Sequence, residues 1–314
     1  MTMARDRIRG ERHVLARGEA GYPARLEEVG HPPARLYVIG NPAALAPGLA
    51  VVGARRATPY GLGCARRFAG LAAERGVPII SGGARGCDAA AHEAALAAGA
   101  PTVAFLGGGL DEPYPRANVG LFQRIVDAGG ALASEHEWGF APLPFTFRER
   151  NRLIAGLARA TLIVEAGLPS GTFSTADAAL AAGREVLVVP GAITSASSRG
   201  ANRLLCQGAV PVVDDDSLAD ALMGAFGCLR REEAPGGAAR ARPPRPGGAA
   251  GALLAALEAE PLGMEALGEL AVRHRGGTDA LTWLMVWLAE AQRDGLVARY
   301  PDGRYGPVVR PPRS

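Results

Sequence analysis

Six short apolar runs constrain this chain more than any other feature: Leu49–Val52, Val77–Ile80, Thr102–Leu106, Ala131–Ala133, Leu162–Val164 and Val186–Val189. Each ends in small or polar residues and leads into an alanine-rich stretch of helical character. Continuously apolar strands alternating with helices mark a parallel sheet covered on both faces, because a strand with one wet face would alternate apolar and polar residues. The pattern predicts an α/β fold, an extended Rossmann-like, doubly wound, mostly parallel sheet over 47–228, with a further strand at Val210–Val213 and a closing helix at Ser217–Phe226. Residues 1–46 read as a proline-containing lead-in with one short strand at Leu36–Ile39. Residues 229–251, rich in Pro, Gly and Arg, cannot bury enough apolar surface to order themselves and read as a linker. Over 252–314, helices at Ala252–Glu258, Met264–Val272 and Asp279–Arg293, and a hairpin across Gly295–Val309 turning at Asp302-Gly303, predict a small winged-helix-like domain.

Composition removes several chemistries. All 34 basic residues among the 314 are arginine. Without lysine there is no Walker-type P-loop and no lysine Schiff base. The four cysteines, Cys64, Cys87, Cys206 and Cys228, form no C-x-x-C and have no histidine at metal-ligand spacing, so zinc and thioredoxin-like readings fail. No apolar h-region follows Arg5, Arg7 and Arg9, and no 18 apolar residues run together, so the expectation is a soluble cytoplasmic protein without a membrane partner. A net charge of +3 neither proves nor excludes a nucleic-acid partner.

Ligands of doubly wound sheets bind outside the carboxyl ends of the strands, where glycine-rich turns open helices whose amides attract anions. Here such turns follow nearly every strand: Gly53-Ala54-Arg55, Ser81-Gly82-Gly83-Ala84-Arg85-Gly86, Gly107-Gly108-Gly109, Ser170-Gly171-Thr172 and Pro190-Gly191. Several on one rim suggest a groove for a polyanion. The bland alternative is that small residues only let strands turn into helices at close quarters, and for any single turn the two readings weigh evenly. Arg55 and Arg56 sit beyond the first strand, Arg85 in the second turn, and Arg148, Arg150 and Arg152 cluster with Asn151. Their planar guanidinium forks suit phosphate. Trp138, Phe140, Phe145 and Phe147 lie just upstream of that cluster, and aromatics interleaved with arginine suit stacked bases of a single strand. They would equally serve to anchor a loop, with the arginines in surface ion pairs.

Catalytic equipment is thin. His13, His31, His92, His136 and His274 are scattered, and His92 on an alanine-rich helix reads as a packed or capping residue. Asp88, Asp111, Glu112, Glu135 and Glu165 fall near the rim without the spacing of an acid–base pair, and no G-x-S-x-G or H-E-x-x-H occurs. Asp88 is expected to orient Arg85 or its turn, and Glu165 to hold the Ser170–Thr172 loop. A binding protein is the simpler reading.

The ordered set Gly53-Ala54-Arg55, Ser81-Gly82-Gly83-Ala84-Arg85-Gly86-Cys87-Asp88, Leu106-Gly107-Gly108-Gly109, Tyr114-Pro115-Arg116-Ala117-Asn118, Phe147-Arg148-Glu149-Arg150-Asn151-Arg152, Val164-Glu165-Ala166, Ser170-Gly171-Thr172 and Gly200-Ala201-Asn202 resembles the DNA-processing protein A (DprA/Smf) family from Tyr22 to about residue 213. The resemblance implies a non-catalytic recombination mediator without a cofactor. It would bind and protect single-stranded DNA in natural transformation, help load RecA recombinase, and work as a homodimer. It implies a DNA pocket of Gly53, Arg55, Ser81, Gly82, Arg150, Asn151, Arg152, Ser170, Gly171 and Thr172, to which the turn arginines and the aromatic read above add Arg56, Arg85 and Phe147, and a dimer contact through Leu218 and Leu222 of the closing helix. Departures are Cys87 for an aliphatic residue, His136-Glu137-Trp138-Gly139 for Tyr-Pro-Pro-Gly, arginines where lysine is common, and no room before the sheet for the helical amino-terminal domain of many members. The helix Asp279–Ala291 carries Trp283, Met285, Val286 and Trp287 and no arginine, so a protein contact, or weak DNA-backbone contact through Arg299 and Arg304, is expected rather than base reading. Two rivals share the superfold. A phosphoribohydrolase would need a glutamate where this chain has Thr175, and a nucleotide sensor would use the same pocket.

Overall fold

The computed structural model describes residues 7–227, 247–277, 279–294, 296–299 and 303–307. The chain divides into two units, Met1–Arg231 and Glu232–Ser314.

Among the described residues the first unit is built on a nine-stranded sheet of β1 (Arg12–Ala16), β2 (Arg35–Gly40), β3 (Leu49–Val52), β4 (Ile79–Ser81), β5 (Thr102–Phe105), β6 (Ala131–Ser134), β7 (Ala160–Ile163), β8 (Glu185–Val188) and β9 (Val210–Pro211). Their spatial order is β1-β2-β6-β5-β4-β3-β7-β8-β9. Strands β3 to β9 pair in parallel, whereas β2 runs antiparallel to β6 and β1 antiparallel to β2. The helices are α1 (Pro59–Glu74), α2 (Cys87–Ala97), α3 (Val119–Asp127), α4 (Thr146–Leu157), α5 (Thr172–Ala181), α6 (Arg199–Cys206) and α7 (Asp215–Phe226).

The doubly wound expectation holds, and its cause is visible in the side-chain alternation. Ala50, Val52, Ile80, Phe105 and Ile163 enter one apolar layer with Leu153 and Leu157 of α4, Ala176 of α5 and Leu204 of α6. Leu49, Val51, Ile79 and Leu162 enter the other with Ala65 and Phe68 of α1, Ala91 of α2 and Leu222 of α7. Because both faces are covered, the strand residues are mostly apolar, with only small hydroxyl side chains such as Ser81, Thr102, Ser134 and Thr161 buried among them, which is why the runs read as nearly continuous. Local chemistry fixes the helix starts. Thr58 caps α1 ahead of Pro59, and Asp214 with Ser217 forms a capping box on α7.

Three expectations need correction. The segment read as a lead-in joins the sheet: the strand expected at Leu36–Ile39 is present as β2, the described residues before it add β1, and Tyr22, Leu26 and Val29 lie in the core. Strand β1 escaped the sequence reading because its residues alternate between exposed and half-buried, as befits an edge. Leu218 and Leu222 do not face a second subunit. Both are wholly buried in the layer shared with α1, since an apolar i, i+4 pair reads the same in sequence whichever surface covers it. The linker falls largely outside the described residues, but α8 (Gly248–Ala259) starts inside the span assigned to it.

In the second unit α8, α9 (Met264–Arg275) and α10 (Ala280–Arg293) enclose Leu253, Leu257, Leu267, Leu284 and Leu288, closed by β10 (Val297–Arg299) paired antiparallel with β11 (Tyr305–Pro307). Asp302 of the expected turn lies outside the described residues. Leu281, Met285 and Val286 of α10 are exposed. Among the described residues no helix is long and apolar enough to cross a membrane.

Candidate nucleic-acid interface

Strand order reverses between β3 and β7: the chain continues from β3 through β4, β5 and β6 in one direction and through β7, β8 and β9 in the other. A doubly wound sheet leaves a crevice at that switch point. Here it is a cleft of about 510 Å³, walled by the turn after β3 (Gly53 to Arg56), the turn after β7 (Gly167 and Pro169 to Thr172) and one face of α4 (Phe147, Arg148, Arg150, Asn151, Ile154). A smaller hollow beside it adds Gly82, Arg85, Tyr114 and Pro115, sharing Arg55, Phe147 and Arg150 as a common wall.

The structure thus brings together most of the residues picked from sequence. Gly53, Arg55, Arg56, Phe147, Arg150, Asn151, Ser170, Gly171 and Thr172 line the cleft, and Gly82 and Arg85 line the hollow. Arg55, Arg56, Arg85 and Arg148 are exposed. None of these four pairs with a carboxylate among the described residues. The Arg55 guanidinium sits over the Phe147 ring, 5.3 Å from its centroid, and Phe147 leans on Tyr114 with centroids 5.4 Å apart. Asn151 donates to Ser174 Oγ at 2.8 Å, tying α4 to α5. Ser170 Oγ donates to Thr172 Oγ1 at 2.9 Å, which sets the turn that opens α5.

Three of the expected contact residues do other work. Ser81 is buried and donates its hydroxyl to the Val51 carbonyl at 2.6 Å, lacing β4 to β3 below the cleft. Arg152 lies outside the cleft. Its guanidinium makes two bonds to the Glu135 carboxylate, at 2.7 and 2.6 Å, and others to the carbonyls of Gly30 and His31, so its charge is spent on holding the amino-terminal segment. Arg150 lines the cleft but is only 4% exposed. It donates to the carbonyls of Gly82 and Phe105 at the ends of β4 and β5. Burial lowers its pKa to about 10, opposed by the nearby Asp88 carboxylate, so it stays charged at neutral pH. Arg150 is a strut under the cleft floor, and the cation that α4 presents outward is Arg148.

The two carboxylates closest to the rim are also committed. Asp88 accepts from the amides of Gly82 at 3.1 Å and Ala84 at 3.3 Å, as expected for a residue shaping its turn. Burial pushes its pKa up, while Arg150 and those amides pull it down. Glu165 does not hold the Ser170–Thr172 loop. It accepts from the amide and hydroxyl of Thr58 and so anchors the start of α1. At two turns the glycines answer to packing. A Cβ on Gly53 would lie 2.6 Å from Cys87 Sγ, and Gly86, at φ +83°, passes so close to the Ala54 carbonyl that a Cβ would sit 2.2 Å from it. At those two positions close packing alone already requires glycine.

Of the four aromatics Trp138, Phe140, Phe145 and Phe147, only Phe147, in the first turn of α4, lines the cleft. Trp138 packs edge-on against Tyr37 beneath Arg12, and Phe140 stacks on His136 at 4.3 Å. Sequence reading did not single out Tyr114, Pro144 or Pro169 as lining residues, and no local signal distinguishes them. His92 is packed as expected. Thr102 gives its hydroxyl proton to the Ile79 carbonyl, so His92 Nδ1 donates to Thr102 Oγ1 at 2.7 Å, and burial lowers the imidazole pKa to about 3. Thr175, the residue weighed above against the phosphoribohydrolase reading, lines the cleft. The described residues contain no cluster of metal-ligating side chains.

The model of the DNA recombination-mediator protein A family matches residues 13–223. The putative DNA processing protein DprA of Mycobacterium tuberculosis is 44% identical over 234 residues, covering 73% of this chain and 57% of that protein. Protein Smf of Escherichia coli K12 is 40% identical over 224 residues, covering 71% and 59%. The chain therefore spans somewhat over half the length of these relatives. Among solved structures, DNA processing protein A from Helicobacter pylori, described for its single-stranded DNA binding mode, superposes with a TM-score of 0.63 at 30% identity, covering 69% of this chain and 98% of that one. The Streptococcus pneumoniae protein superposes at 0.61 with 37% identity, covering 66% and 73%. The matched span takes in all nine strands of the large sheet except Arg12, together with every residue lining the cleft, and the chain belongs to the DNA recombination-mediator protein A family.

Proposed function

We propose that this chain is a non-catalytic, single-stranded DNA-binding recombination mediator that shields incoming DNA during natural transformation and assists RecA loading, acting in the cytoplasm as a homodimer. The observation that carries the reading is the cleft itself. It offers exposed guanidiniums of Arg55, Arg56 and Arg148 and a guanidinium–aromatic stack of Arg55 on Phe147, and its one lining carboxylate, Asp88, is buried and bonded to amides. Such a surface grips phosphates and stacks bases, and it lacks a general acid or base for hydrolysis. The relatives support it, since the Helicobacter pylori protein is described as binding single-stranded DNA.

Titration of the purified protein with labelled oligonucleotides tests the reading. Saturable binding that strengthens with strand length and weakens steeply with salt is expected. Release of base from a nucleotide would favour the hydrolase instead. Assembly of RecA filaments on a protein-coated strand, and light scattering of the free protein, test the RecA and homodimer parts separately.

A further inference from the structure

The hollow beside the cleft has a cation and an aromatic ring of its own. After β5 the chain passes through the buried Pro113 to Tyr114, which is 45% exposed. Four residues on, the Asn118 side chain donates to the Gly83 carbonyl at 2.9 Å and holds this segment against the turn after β4. That turn carries Arg85, so Tyr114 and Arg85 line the same hollow. Phe147 stands on the wall between hollow and cleft. Its ring is half-buried, with the Arg55 guanidinium over it and Tyr114 leaning on it at 54°, and Tyr114 is the more open ring of the pair. The hollow measures about 40 Å³, room for water but not for a base, so a base could only lie over the exposed Tyr114 ring at its mouth.

We propose that Tyr114 and Arg85 form a second nucleotide subsite beyond Phe147, in which a base of the strand stacks on the Tyr114 ring and Arg85 takes an adjoining phosphate. The inference rests on the cleft being the strand site. A strand held by Arg55 and Phe147 already touches the wall that the two depressions share, and the next side chains across that wall are Tyr114 and Arg85. Arg85 is exposed and has no carboxylate partner among the described residues, so its fork is open to a phosphate. An open ring beside an open guanidinium is what a sequence-tolerant single-strand groove needs, because every base has a π-face.

The test compares two strands of equal length on the full chain at low salt: an oligothymidylate, and an abasic strand that keeps the phosphates and lacks every base. Tyr114→Leu, which keeps bulk against Phe147 but has no π-face, is expected to weaken oligothymidylate binding by between about fivefold and 150-fold, the range for one stacked base. Its affinity for the abasic strand should stay native. Tyr114→Phe should bind both strands as the native protein does, and Arg85→Ala should weaken both by a similar factor. A Tyr114→Leu protein that binds oligothymidylate natively, or that loses the same factor on both strands, overturns the subsite and leaves the cleft standing as the strand site. Failure of the native protein to bind oligothymidylate at all removes the strand reading first, and this inference with it.

Discussion

Replacing Arg150 should damage the fold before it damages binding. The guanidinium is buried, spans two strand ends through the carbonyls of Gly82 and Phe105, and neutralises the buried Asp88. Arg150→Met keeps much of the side-chain volume but strands Asp88 and two carbonyls. Leaving a buried carboxylate without its nearby countercharge, together with two buried carbonyls without their donor, should cost about 3–5 kcal/mol, the scale for removing one member of a buried charged cluster. For a domain of this size each kcal/mol moves the melting midpoint by about 2–4 °C, so a fall of about 6–20 °C is expected. Arg55→Ala, an exposed residue resting on Phe147, should leave the midpoint almost unmoved. Thermal melting followed by circular dichroism, with an oligonucleotide gel shift on the same preparations, reads both effects. Adding Asp88→Asn to Arg150→Met should recover part of the loss, because two neutral partners are cheaper to bury than one lone carboxylate. A single Arg150→Met protein that melts within about 2 °C of native, less than one kcal/mol on this scale, and yet fails to bind DNA would refute the strut and restore Arg150 as a phosphate ligand.

Arg55→Ala, Arg56→Ala and Arg148→Ala should each weaken oligonucleotide binding and lower the slope of log affinity against log salt by about 0.7, the single-strand value per phosphate contact, as measured by titration at several salt concentrations. Arg152→Ala should destabilise the fold through loss of the Glu135 pair without changing that slope. The His92 imidazole, near 6.5 when unfolded and lowered to about 3 when folded, binds more protons in the unfolded state between those values. Its contribution is therefore complete above about pH 6.5 and is lost as pH falls toward 3, so the acid side of a stability–pH curve should flatten in His92→Asn. Leu222→Ala should cost about 2–5 kcal/mol of stability in denaturant unfolding, as expected for a residue buried within one chain.

The central strands were legible in the sequence because burial on both faces favours near-continuous apolar runs. Edge strand β1 was not, since half its surface is wet and its residues carry no continuous run. The cleft was legible as a place, through turns that had to share one rim, but not in its division of labour. A glycine facing a phosphate and one facing a neighbouring Cβ are the same letter. The role of Arg150 had a signal that was not used: it stands three and four residues before Leu153 and Ile154, on the buried side of α4, while Arg148 falls on the outward side. Glu165 and Thr58 lie far apart in the chain and meet only because β3 and β7 are adjacent, which no local pattern reveals.

The antiparallel placement of β2 has a consequence for synthesis on the ribosome. The β1–β2 hairpin is completed first, yet the inner edge of β2 finds its partner only when residues 131–134 have emerged. Until then Val38 and Ile39, wholly buried in the finished protein, have no lasting cover. The nascent chain thus carries a sticky ribbon from the completion of β2 until β6 emerges, and slowing elongation between β3 and β6 should raise its demand for chaperones.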